Sequence, residues 1–301
     1  MTEPLKQGDK VAIVSTARKI SSEELSAAIG IIEGWGLKVE LGETIGAVDN
    51  QYGGSDVLRA KDFQAMLDRP DIRAVFCARG GYGTVRIIDK LDFTAFMKQS
   101  KWVIGYSDIT VLHSHIHRHV GVPTLHANMP ITYPSDGSEN ESTRSIWCAL
   151  SGQGLSYDWS PAEFNRTGEA EGLLVGGNLS VLNSLLGSRS DIDTDGKILF
   201  IEDLDEYLYH IDRMMINFRR SGKLSKLKGL IVGGMSDMND NEIPFGKNAL
   251  EIIHEHVRKY EYPVAFGFPA GHIDDNRALI MGSSVSLNVS DDICQLNFSG
   301  N

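Results

Sequence analysis

The chain reads as an α/β protein whose first domain is a parallel sheet covered by helices, and three observations carry that reading. Apolar runs of strand length alternate with segments of helical periodicity through the first half. These runs are continuous, as in strands buried on both faces. The periodicity fades once, near the middle, where a polar, glycine-containing stretch separates two units. With 301 residues, 42% of them hydrophobic and 23% charged, the chain has the length of two domains at roughly 100–200 residues each.

In order, Lys10–Val14 is a strand, and Glu23–Trp35 carries apolar residues at helical spacing behind the cap-like Ser21-Ser22. Leu37–Leu41 is a strand, a helix follows over about Val57–Leu67, and Ala74–Cys77 is a strand. A helix is expected over about Thr84–Leu91, then the strand that opens at Trp102. These elements place an amino-terminal domain at residues 1–150, a linker at 151–165 and a carboxy-terminal domain at 166–301. The second unit opens with a strand over Thr167–Val175, turns at Gly176-Gly177-Asn178 and runs a helix through Leu186. Its later strands are Lys197–Ile201, Gly229–Val232, Pro263–Phe266 and Val285–Val289.

Composition excludes several classes of function. A net charge of −11 with no basic stripe disfavours nucleic acid, whose binding depends on neutralising phosphates. No apolar run approaches the roughly 18 residues of a membrane span, and the start of the chain has no apolar signal region, so a cytoplasmic protein is expected. Cys77, Cys148 and Cys294 are too scattered for a disulfide framework or a zinc site. His113, His115, His117 and His119 alternate, and alternate residues of a helix diverge by about 200°, so no metal is expected. Gly80, Gly81 and Gly83 lack the Gly-Lys-Ser/Thr of a phosphate loop.

The chemistry concentrates at strand ends. Trp102–Gly105 runs into Tyr106-Ser107-Asp108 and then into a helical pattern. A strand that turns sharply into a helix presents the turn residue at the open edge of the sheet, beside the first free N–H groups of the helix. Ser107 is therefore a candidate nucleophile, although a serine there also fits a helix N-cap. A serine needs a base and an orienting acid. Strand 198–201 leads into Glu202, and strand 264–268 leads through Pro269-Ala-Gly to His272, completing a Ser107, Glu202, His272 set. The N–H of Asp108 and that of Gly80 or Gly81 are the candidate oxyanion donors. Arg79 is a candidate for the substrate's terminal carboxylate and equally fits a structural ion pair.

Five blocks, Arg79-Gly-Gly-Tyr-Gly83, Gly105-Tyr-Ser-Asp-Ile-Thr110, Gly176-Gly-Asn-Leu-Ser180, Phe200-Ile-Glu-Asp-Leu-Asp-Glu206 and Gly267-Phe-Pro-Ala-Gly-His272, resemble in this order the serine LD-carboxypeptidase family. These muramoyltetrapeptide carboxypeptidases include the microcin C immunity peptidases. The resemblance implies an amino-terminal domain like class I glutamine amidotransferases, a smaller β-rich carboxy-terminal domain, and an active site between them. It assigns the nucleophile to Ser107, the acid to Glu202 and the base to His272, and it implies a homodimer with no cofactor. The implied reaction is hydrolysis of the amide between the L-centre of a diamino acid and a terminal D-alanine in cytosolic murein tetrapeptide. One departure is Leu279-Ile-Met-Gly282, where family members often carry Leu-Pro-x-Gly. Two alternatives stand beside this one: a self-immunity peptidase cleaving peptidyl or aminoacyl nucleotides, and a peptide-binding protein without catalysis. No aromatic residue lies at Gly176–Ser180 to stack on a base, which favours the murein peptide.

Overall fold

The computed structural model describes residues 2–299 and resolves into two units, one comprising the chain up to Gln153 together with Arg277–Ile280, the other Gly154–Asn276 and the chain from Met281.

The first unit follows the expected alternation: β1 (Lys10–Val14), α1 (Ser26–Gly34), β2 (Lys38–Leu41), α2 (Asp56–Asp68), β3 (Ile72–Cys77), α3 (Thr94–Lys98), β4 (Trp102–Gly105), α4 (Thr110–His119), β5 (Thr124–His126) and α5 (Glu141–Ser151). Strands β2, β1, β3, β4 and β5 pair in parallel in that order. The apolar runs are buried along nearly their whole length, as the continuous pattern demands: Val11–Val14, Ala74–Cys77 and Trp102–Ile104 are all at 1% exposure or less. Burying each such Val, Ile or Phe contributes roughly 1.5–3 kcal/mol. The expected helix over Thr84–Leu91 is instead two 3-10 turns, Thr84–Arg86 and Ile88–Lys90. Gly83 enters the first of these at φ +150°, where no helix can start smoothly. The sheet gains its last strand, β11 (Leu279–Met281), beside β5 from the far end of the chain.

The second unit contains β6 (Ser156–Trp159), β7 (Gly168–Asn178), α6 (Leu179–Ser184), β8 (Ile198–Leu204), α7 (Leu208–Arg220), β9 (Gly229–Ser236), α8 (Ala249–Val257), β10 (Val264–Ala265), β12 (Ser284–Val289) and β13 (Cys294–Phe298). These strands form one mixed sheet in the order β10-β9-β8-β7-β12-β13-β6, parallel from β10 to β7 and antiparallel from β7 to β6. The stretch expected as a linker thus holds β6, whose exposed-buried alternation lays Tyr157 and Trp159 on Phe268. Leu199 and Ile201 of β8 face the helices and pack with Ile211, Met214 and Phe218 of α7 and with Ile252 and Ile253 of α8. By the two-residue period of a strand, Phe200 and Glu202 face the other way.

Candidate active site

In the first unit, β4 leads through Tyr106, extended at φ −142°, to Ser107 at φ +61°. A 3-10 turn over Ser107–Ile109 then runs directly into α4. A left-handed serine costs about 1–3 kcal/mol and persists only where its surroundings impose it. Two neighbours do so here. Gly105 is also at positive φ, and a Cβ on it would lie 2.8 Å from Ile109 Cγ1, so the chain closes on itself around the turn. The fully buried His113 lies within 2.9 Å of the Gly105 carbonyl through Nε2, and burial holds its pKa down at about 4 despite that bond. His113 is thus a neutral donor supporting the backbone just before Ser107.

The Arg79–Gly83 loop follows β3 and runs alongside. A Cβ on Gly80 would lie 3.4 Å from Ser107 Cβ and 3.6 Å from its Oγ, so the Gly80 backbone passes directly by the hydroxyl. Gly81, at φ +103°, meets the Arg18 side chain instead. Arg79 is about one-third exposed, and its Nη1 lies 3.9 Å from Glu24 Oε1 and 3.5 Å from the Lys19 carbonyl, the ion-pair arrangement.

In the second unit, Glu202 lies within β8 and is completely buried, not just past the strand end in a solvated cluster. The β8–β9 register slips there: Ile201 pairs with Val232 and Asp203 with Met235, so Gly233 and Gly234 both stand opposite Glu202. A bulge of this kind re-aims a side chain. The two glycines also admit the next loop, since a Cβ on Gly233 would lie 2.4 Å from the Ala270 carbonyl. Strand β10 ends at Ala265, earlier than the sequence suggests, because Gly267 at φ +74° and Pro269 break the ladder. His272 is therefore carried by a loop, but that loop is pinned to β9: Phe268 N donates to Val232 O, Gly234 N to Ala270 O, and Ser236 Oγ to His272 O at 2.7 Å.

Glu202 Oε2 accepts from both the His272 backbone N–H, at 3.2 Å, and His272 Nδ1, at 2.7 Å. The carboxylate thereby assigns the proton of the neutral ring to Nδ1 and makes Nε2 the nitrogen that can take up another. Burial pushes the His272 pKa down, but the bond to Glu202 and the charges of Glu202 and Asp203 outweigh it, and the net shift is upward. Gly271, at φ +110°, is required by this contact: a Cβ there would lie 2.7 Å from Glu202 Cβ and 2.8 Å from Oε2.

Sequence reasoning passed over Asp203. Its carboxylate, 1% exposed, accepts from Asn178 Nδ2, Ser180 N and Leu204 N, each at 2.9 Å, and so holds the corner between β7 and α6. Burial, reinforced by the adjacent Glu202 charge, pushes its pKa up to about 7. The signal was present in Glu202-Asp203, two acids directly after a buried apolar run. All three cysteines are free thiols, and burial pushes that of Cys77 up to about 12. Among the described residues no group of three or more His, Cys, Asp or Glu side chains is arranged to hold a metal ion, and no helix is long and apolar enough to cross a membrane.

The first unit holds a strained serine at a strand–helix turn and the second a buried carboxylate–imidazole pair, and comparison with known proteins shows this chain to be a serine carboxypeptidase. It belongs to the LD-carboxypeptidase family, whose N-terminal domain matches residues 11–127 and whose C-terminal domain matches residues 171–287. A probable murein peptide carboxypeptidase of Bacillus subtilis is 34% identical over 95% of this chain and 91% of that protein. The crystal structure of muramoyltetrapeptide carboxypeptidase from Oxalobacter formigenes superposes with a TM-score of 0.87 at 26% identity, covering 97% of this chain and 99% of that one. The microcin C7 self immunity protein MccF, solved in complex with glutamyl sulfamoyl guanosine, shares the fold with a TM-score of 0.88 at 20% identity over 100% of this chain and 99% of that one.

Proposed function

We propose that this carboxypeptidase removes the terminal D-alanine of murein tetrapeptides by cleaving its amide to the L-centre of a diamino acid. Ser107 is the nucleophile, His272 the general base and Glu202 the residue that orients and charges the imidazole. His272 Nε2 takes the serine proton as Oγ adds to the carbonyl, then returns it to the departing amine. Water deacylates the enzyme by the same relay in reverse. The N–H groups of Asp108 and of Gly80 or Gly81 receive the oxyanion. Arg79 is offered for the terminal carboxylate, in exchange for its contact with Glu24. The observation that carries the reading is the buried Glu202–His272 pair, in which one carboxylate oxygen receives both the ring Nδ1 and the backbone N–H of His272. The names of the relatives support the substrate, and the family resemblance supports a cytosolic homodimer with a glutamine amidotransferase-like first domain.

The test is release of D-alanine from murein tetrapeptide by the parent and by Ser107→Ala, both with chelator present. Release by the parent alone upholds the assignment. Release by neither removes the substrate, and peptidyl nucleotides are assayed next. Release by both removes Ser107 from the chemistry.

A further inference from the structure

The loop that passes Ser107 is anchored at its far end by two buried ionic side chains. Arg59, on α2, has no exposed surface and makes no use of solvent: Nη1 donates to the carbonyls of Thr16 and of Gly83, the latter at 2.9 Å, and Nε donates to Gly54 O at 3.3 Å. Its remaining nitrogen pairs with Asp56. A Cβ on Gly83 would lie 2.7 Å from Arg59 Nη1, so the glycine and the guanidinium are fitted to each other. Asp108, the residue after Ser107, is 3% exposed, and its Oδ2 accepts from Thr84 N at 2.9 Å. Thr84 Oγ1 in turn lies 2.9 Å from Thr16 Oγ1. Taking each such charge out of water costs several kcal/mol. Here both are directed at main-chain groups of one short segment, Gly83-Thr84, three and four residues from the point where Gly80 passes the Ser107 hydroxyl.

We propose that Arg59 and Asp108 are positioning residues that clamp the Gly80–Gly83 loop against the Ser107 turn from its two sides, setting where the loop's N–H groups stand relative to the attacked carbonyl. Asp108 ties the nucleophile's own turn to the loop, and Arg59 ties the loop to α2 and to Thr16 in the segment that follows β1. The inference rests on the reading of Ser107 as nucleophile. Misplacing an oxyanion donor by about an ångström costs on the order of 100-fold in rate, with substrate affinity untouched.

The informative variant is Asp108→Asn in the full-length protein. Its carbonyl can still accept from Thr84, but its amide brings N–H donors into a site already surrounded by Thr84, Gly83 and Arg59 donors. Expected are backbone hydrogen exchange at least tenfold faster over Gly80–Thr84 and a kcat for D-alanine release about 100-fold lower, with KM within threefold of the parent. Arg59→Lys, which keeps the charge and loses the fork, shifts both in the same direction. If Arg59→Lys fails to fold, Asp108→Asn decides. Unchanged exchange in the loop, a kcat within twofold of the parent, or a loss carried by KM alone overturns the proposal. Should the parent release no D-alanine, the substrate assignment fails separately. The rate of Ser107 labelling by a fluorophosphonate then replaces turnover, with the same 100-fold slowing expected and parental labelling by the variant overturning the clamp.

Discussion

Replacing Glu202 by Gln tests the electrostatic part of the carboxylate's role, because the geometry lets a glutamine keep the two bonds made to His272. Both donors that Glu202 receives, the His272 N–H and Nδ1, converge on the single oxygen Oε2. A glutamine with its carbonyl oxygen in that place keeps both bonds and loses the charge, while its amide nitrogen takes the buried place of Oε1, which has no hydrogen-bond partner among the described residues, so part of any loss in stability comes from that unpaired amide. In the proposed reaction the imidazole becomes a cation whose centre lies roughly 4 Å from the carboxylate, a separation worth about 4 kcal/mol at an effective dielectric constant near 20. Since each 1.36 kcal/mol is tenfold in rate, kcat/KM should fall by about three powers of ten. The pH profile moves as well. In the parent, the imidazole must be neutral to act, and its pKa is raised from the ordinary histidine value because Glu202 and Asp203 outweigh burial, so activity rises with pH through a limb on the basic side of a free imidazole's. Without the Glu202 charge, burial gains ground and the limb moves toward acid. The assay is D-alanine release from pH 5 to 9 by parent and variant. A loss smaller than tenfold, or a limb that stays where it was, would refute this account of the pair.

Two further substitutions probe the backbone that holds the site. Ser107→Gly should abolish D-alanine release while stabilising the protein by about 1 kcal/mol, because glycine adopts φ +61° without strain; this is the relief of about 1–3 kcal/mol less the added entropy of the unfolded chain. Urea unfolding measures it, and equal or lower stability would mean that the turn stores no strain. Gly271→Ala places a Cβ 2.7 Å from Glu202 Cβ at a backbone angle hostile to L-residues, so a loss of about 2–4 kcal/mol in the same assay is expected, with kcat at least tenfold lower. Parental stability and turnover together would show that the His272 loop can retreat from Glu202.

Much of this was legible in the sequence, and the exceptions have physical reasons. Continuous apolar runs identified β1, β3, β4, β8 and β9 because a strand covered on both faces leaves no ambiguity of period. The sharp turn at Ser107 was legible because a short apolar run leads straight into a helical pattern there, and β4, a 3-10 turn and α4 follow one another in that order. Strand β6 was not, since Gly152, Gly154 and Pro161 surround it with loop signals and its pairing partner β13 lies more than a hundred residues away. The Thr84–Leu91 helix failed for the opposite reason: its periodicity is real, with Ile87 and Ile88 buried, but Gly83 enters at φ +150° and the segment closes as two 3-10 turns. Glu202 was found by its position in the chain, yet its depth was hidden, because a β-bulge and a pair of glycines on the next strand leave no mark in hydropathy.

The placement of β11 has a consequence for how the protein is made. The first sheet ends at β5 until Leu279–Met281 arrive, and those residues leave the ribosome only after almost the whole second unit has been synthesised. At roughly 5–20 residues per second, the amino-terminal unit waits on the order of ten seconds with the hydrogen-bonding edge of β5 unfilled. An open edge of that kind recruits other chains. A fragment cut after Gln153 keeps that edge open for good, with only the shortness of the three-residue β5 to limit pairing.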